Sequence, residues 1–178
     1  MKNIGRIVEY HDDLTNWRRD IHAHPELGFE EQRTADVVAK KLAEFGCEVF
    51  RGIGRMGVVG RLRAGASLRS IGLRADMDAL PIQEATNLPY RSRHEGRMHA
   101  CGHDGHTAML LGAARYLAET RNFDGTVHFI FQPAEEGSAA ARRWCRTGAS
   151  SGSRATPFLA CTTGQGSRSA SSRSAPAR

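Results

Sequence analysis

Apolar residues fall at Ile7, Tyr10, Leu14, Trp17 and Ile21, three or four positions apart, which is the spacing of one face of a helix. Pro25 disfavours helical backbone in the residue before it, so this helix is expected to end near His24. A second stripe, Ala35, Val38, Leu42 and Phe45, is followed by Gly46, a residue suited to closing a helix. The period then shortens. Residues 47–50 (CEVF), 58–62 (VVGRL) and 70–75 (SIGLRA) are short runs separated by glycine-rich turns and read as strands. Met109, Leu110, Ala113, Ala114 and Leu117 restore helical spacing over 107–120, and 126–131 (TVHFIF) reads as a buried fourth strand. Between the first two strands, residues 52–57 (GIGRMG) satisfy a dinucleotide-binding fingerprint by letter. They fail it by context, because a strand follows where a helix N-terminus should meet the pyrophosphate. A hairpin turn is expected there.

Polar chemistry is densest where the third helix begins. Residues 98–109 (MHACGHDGHTAM) bring one thiol, three imidazoles and a carboxylate to a helix entrance. On extended backbone, positions i and i+2 project to the same side, so Cys101 and His103 could share one ion. Thiolate and imidazole suit zinc or a similar divalent ion better than magnesium or calcium. Asp104 is expected to cap the helix. Taken alone, a Cys-x-His pair is more often a structural cysteine beside a capped helix. A second cluster, Glu135-Glu136, leaves the C-terminal end of the fourth strand, where open α/β sheets collect ligands. With alternating side chains, one glutamate could face a metal and the other a water. Asp76 and Asp78 end the third strand in the same manner, either as direct ligands or orienting a histidine ligand. Residues 84–99 form a long polar connection of the kind that lines a site. His94, His99 and His106 lie near enough to it to bind substrate. His22 and His24 diverge on a helix and are expected to be surface or satisfied histidines.

The stretches 17–31 (WRRDIHAHPELGFEE), 72–81 (GLRADMDALP), 98–110 (MHACGHDGHTAML) and 131–137 (FQPAEEG) together resemble the metal-dependent amidohydrolases: hippurate hydrolases, bacterial N-acyl-amino-acid amidohydrolases and plant auxin-conjugate hydrolases. The resemblance implies a three-layer α/β domain of the zinc-exopeptidase kind, a mixed sheet with flanking helices, present here only as its amino-terminal part, 1–137. It makes Cys101, His103 and Glu136 metal ligands and Glu135 the general base. It places Asp78 behind a ligand, leaves Asp76 open, and calls for two further histidine ligands that have no match here. It also implies one or two zinc, manganese or cobalt ions, an N-acyl amino acid as the small-molecule substrate, and a homo-oligomer for the full-length family but not for this fragment.

Charge changes the picture only at the tail. Seven of the 25 basic residues and none of the 19 acidic ones lie in 138–178, so the first 137 residues are nearly neutral. A basic excess without interleaved stacking residues argues against nucleic-acid binding. That segment carries no apolar period, and it is expected to be disordered and to derive from a frameshift. Four scattered cysteines without a framework spacing, and no long apolar segment, point to a reducing cytoplasm and no membrane partner. The chain alone is expected to be inactive, with a non-catalytic metal-binding fragment as the alternative.

Overall fold

The structure is a computed structural model that describes residues 2–136; the expectations for 138–178 concern residues outside that range. The first apolar stripe forms two helices, α1 (Lys2–Glu9) and α2 (His11–Ala23), instead of one. Tyr10 between them keeps near-helical angles, φ −87° and ψ −3°. The stripe therefore stays in phase across the break, which is why periodicity does not reveal it. Helix α3 (Gln32–Glu44) follows the second stripe and ends before Gly46, whose φ is +78°. Its N-terminus is closed from a distance: the two carboxylate oxygens of Glu26 accept the backbone N–H groups of Arg33 and Thr34 at 2.9 and 2.8 Å. These are donors that the first turn of a helix leaves without an internal partner.

Strands β1 (Glu48–Ile53) and β2 (Gly57–Ala64) form an antiparallel pair. The glycine motif makes the hairpin turn between them, with positive φ at Gly52, Gly54 and Arg55. Strand β3 (Ser70–Asp76), helix α4 (His103–Thr120) and strand β4 (Gly125–Gln132) complete the described elements. The sheet order is β1-β2-β4-β3, with β4 antiparallel to β2 and parallel to β3, so the sheet is mixed as expected. One face carries Val58, Leu62, Val127, Phe129, Phe131 and Ala75, which pack with Val38 and Leu42 of α3 and Leu111 and Ala114 of α4. At Gly60 a Cβ would stand 2.9 Å from the Leu42 side chain, so the missing side chain lets α3 close onto β2. Among the described residues α3 and α4 pack against this face and α2 packs on α4, so the sheet and the helices on one of its sides are visible of the expected three layers. None of the described helices is long and apolar enough to cross a membrane.

Because β3 and β4 run parallel, with Asp76 opposite Gln132, their carboxyl ends finish at one level. Helix α4 starts beside them, since the Thr107 hydroxyl donates to the Asp76 carbonyl at 2.9 Å. Three segments that carry candidate ligands therefore meet at one edge. The connection between β3 and α4 is pinned by a short bridge between Leu80 and Met98 and by the Arg93 N–H, which donates to the Ala23 carbonyl at 2.9 Å.

Candidate metal centre

Cys101, His103 and Glu136 each offer a ligand atom, and all three atoms lie within 4.8 Å of one another. The donor set is one thiol, one imidazole and one carboxylate, which fits a zinc-like ion. The orientation of His103 selects its ligand nitrogen. Its Nδ1 donates to the Asp78 carbonyl at 2.8 Å and lies 3.2 Å from Asp78 Oδ1, which leaves Nε2 facing Glu136 Oε1 at 3.8 Å. A carboxylate behind a ligating imidazole fixes its tautomer and orientation. Asp78 is 2 % exposed, and its Oδ2 accepts the Glu136 N–H at 3.0 Å. Burial works against its charge, but the bonds from His103 and from the Glu136 and Glu135 backbone hold its pKa below the ordinary carboxylate value. Burial likewise opposes charge on His103, and Asp78 and Asp76 outweigh it and raise its pKa. The Cys101 thiol is pushed up to about 11, first by its hydrogen bond to Glu136 and then by burial and the surrounding carboxylates. A divalent cation reverses that preference, because a coordinating thiol loses its proton.

A second group, Asp76, His103 and His106, also has ligand atoms within 4.8 Å. It draws on the same His103, whose Nδ1 is already taken, so the two groups compete for Nε2. Asp76 is further engaged: Oδ1 accepts from His106 Nδ1 at 2.6 Å, and Arg74 lies 3.4 Å from Oδ2. The rings of His103 and His106 stack at 5.6 Å. Of the histidines expected near substrate, the His106 side chain is 26 % exposed. His99 is buried with neither ring nitrogen paired, and burial lowers its pKa to about 4. His94 is exposed.

The local backbone departs from the expected geometry in three places. Cys101 and His103 do not lie on an extended strand. Gly102 between them is left-handed, with φ +81°, and His103 is the first residue of α4. Glu135 and Glu136 are likewise not on strand backbone, because β4 ends at Gln132 and Ala134 has φ +52° before a turn. Their separation comes from that turn and not from the pleat. Asp104 caps nothing; its buried carboxylate accepts from His22 Nδ1 at 2.8 Å and Arg18 Nη1 at 3.2 Å. His22 is therefore satisfied, as expected, but deep in the interior. His24 is satisfied through the Asp20 carbonyl at 2.8 Å.

Two buried carboxylates with no expected role support this region. Glu31 accepts the Ala134 N–H at 2.7 Å and so holds the turn that carries Glu135 and Glu136. Burial raises its pKa to about 7. Glu84 accepts the Ser92 N–H at 2.6 Å and the Thr86 hydroxyl, which folds the connection onto itself. Their partners lie elsewhere in the fold or across a loop, and their only mark in the sequence is an acidic residue beside an apolar or glycine-rich stretch.

Compared with known proteins, residues 72–175 match the model of the peptidase family M20/M25/M40. The chain is 55 % identical over 148 residues to a hippurate hydrolase of Campylobacter jejuni, covering 83 % of this chain and 38 % of that protein. It is 46 % identical over 145 residues to an N-acetylcysteine deacetylase of Bacillus subtilis, covering 80 % and 38 %. Among solved structures, it superposes with a TM-score of 0.78 on a Bacillus subtilis protein described as a dinuclear metal-binding peptidase of the M20 family. That pair is 43 % identical and covers 85 % of this chain and 43 % of the other. The chain thus spans little more than a third of the length of these curated relatives.

Proposed function

Because this chain belongs to the peptidase family M20/M25/M40, we propose that it serves the metal-dependent hydrolysis of the amide bond of N-acyl amino acids, with Cys101, His103 and Glu136 as metal ligands and Glu135 as general base. The observation that carries the reading is the convergence of three ligand atoms of mixed chemistry within 4.8 Å beside a second, exposed glutamate. The hippurate hydrolase and N-acetylcysteine deacetylase among its relatives support an acylated amino acid as the substrate class. A zinc, manganese or cobalt ion at the centre would supply a Lewis acid for the amide carbonyl and acidify a water. Within the chain, Asp78 holds the His103 ring so that Nε2 is presented, and its other oxygen fixes the backbone of Glu136. The Glu135 carboxylate takes a proton from water and passes it to the leaving amine. His106, fixed by Asp76 and partly exposed, is the histidine placed to meet the substrate.

The sequence holds no histidine after His128, so the two further histidine ligands implied by the resemblance are not supplied by this chain. The 178-residue chain is therefore expected to bind metal weakly and to be inactive on its own, which is also what a non-catalytic metal-binding protein would show. Addition of cobalt should give a thiolate-to-metal charge-transfer band that Cys101→Ser abolishes and Cys47→Ser leaves intact. A band indifferent to Cys101 refutes the ligand assignment. In a version that supplies the missing histidines, Glu135→Gln should lower kcat on a hippurate-type amide by at least about a hundredfold with metal content unchanged. Loss of metal in that variant would exchange the roles of Glu135 and Glu136.

A further inference from the structure

One imidazole touches both ends of the six-residue stretch that carries two of the three proposed ligands. His22 is 7 % exposed, on the last turn of α2. Its Nδ1 donates to Asp104, the residue directly after His103, at 2.8 Å. Its ring lies 6.3 Å from that of His99, two residues before Cys101. Its Nε2 is 3.4 Å from Glu84 Oε1, and Tyr90 meets the ring edge-on at 5.6 Å, so the connection before Cys101 is anchored to the same side chain. Arg18, four residues earlier on α2, adds a second hold on Asp104 at 3.2 Å.

The turn between the two ligands is held by backbone bonds alone: the Gly102 N–H donates to the His99 carbonyl at 3.4 Å, and the Gly102 carbonyl accepts from Gly105 and His106 at 2.9 and 3.1 Å. Gly102 is left-handed, and a Cβ built there would meet nothing within 4 Å, so packing at that residue does not fix the relation of Cys101 to His103. Asp78 fixes the His103 ring, and the contacts of His22 at residues 99 and 104 hold the two ends of the stretch to the fold. Both carboxylates facing His22 are buried, and a buried carboxylate is costly unless its partner is held in good geometry. The position of the ring is thereby tightly determined.

We propose that His22, with Glu84 as its second carboxylate partner, is a positioning residue that sets the Cys101–His103 geometry for metal binding; this rests on the proposal that those two residues are ligands. The test is cobalt titration of the whole chain as wild type, His22→Gln, Glu84→Gln and Cys101→Ser, with the unfolding midpoint of each metal-free protein measured alongside. Loss of a partner that orients a ligand typically weakens metal affinity about ten- to a hundredfold. His22→Gln is expected to weaken cobalt binding at least about tenfold and to diminish or shift the charge-transfer band, and Glu84→Gln to act in the same direction. If His22→Gln does not fold, Glu84→Gln decides, since it leaves the bond between His22 and Asp104 in place. A lower unfolding midpoint with unchanged cobalt affinity and spectrum would mean a merely structural role and overturns the proposal. A wild-type chain without a Cys101-dependent band overturns the metal centre and this proposal together.

Discussion

Asp78 uses both carboxylate oxygens within the centre, one toward His103 and one toward the Glu136 backbone. Asp78→Ala should therefore weaken cobalt or zinc binding about ten- to a hundredfold, as measured by competition with a chromophoric chelator. Unchanged affinity would remove Asp78 from the centre. Glu31 makes a pH prediction. Its folded pKa of about 7 lies above the ordinary 4.5, so the folded state favours the protonated form. The stability it contributes is complete below about pH 4.5 and is lost as pH rises through 7. Glu31→Gln cannot ionise. The stability of wild type relative to this variant should fall by roughly 3 kcal/mol between those limits, since each pH unit between the unfolded and folded pKa is worth about 1.4 kcal/mol. A difference that is flat or rises with pH in urea titrations would refute the assignment. The ligand candidates themselves were legible in the sequence as residue types at short spacing. Their geometry was not, because it depends on left-handed backbone at Gly102 and Ala134, and one of these is not a glycine.

At the scale of elements, apolar spacing located the four strands of the described residues, α3 and α4 to within a few residues, and the glycine motif at residues 52–57 with the strand after it marked the hairpin turn. What spacing cannot register is a contact between remote polar groups. Asp104 opens a helix in sequence and looks like a cap, yet its carboxylate is drawn to Arg18 and His22 more than eighty residues away. A side chain that does serve a helix start is Glu26, which lies outside α3 and accepts two of its N–H groups. Glu26→Ala should destabilise the fold by about 1–2 kcal/mol, the usual cost of losing an N-terminal cap. Chemical denaturation would show this as a lower midpoint with unchanged slope. A stability within about 0.3 kcal/mol of wild type would show that water replaces the carboxylate without loss.

For the molecule as a whole, metal binding at the proposed centre would be linked to folding, because the three ligand candidates come from two separate parts of the chain that only the fold brings together. An ion that binds only the folded state at a hundred times its Kd adds about 2.7 kcal/mol of stability. Cobalt at such an excess should raise the thermal midpoint, a chelator should reverse the rise, and Cys101→Ser should show none. The order of the sheet has a temporal consequence too. Strand β4 is the last strand of the described residues in sequence, yet it sits between β2 and β3 and joins them. During synthesis the β1–β2 hairpin can form from local contacts. Among the described strands β3 then waits without a neighbour while the fifty or so residues through α4 emerge from the ribosome. Only when residues 125–132 slot into the gap do the ends of β3 and β4 reach one level, so among the described residues the chemistry at that edge is the last to assemble.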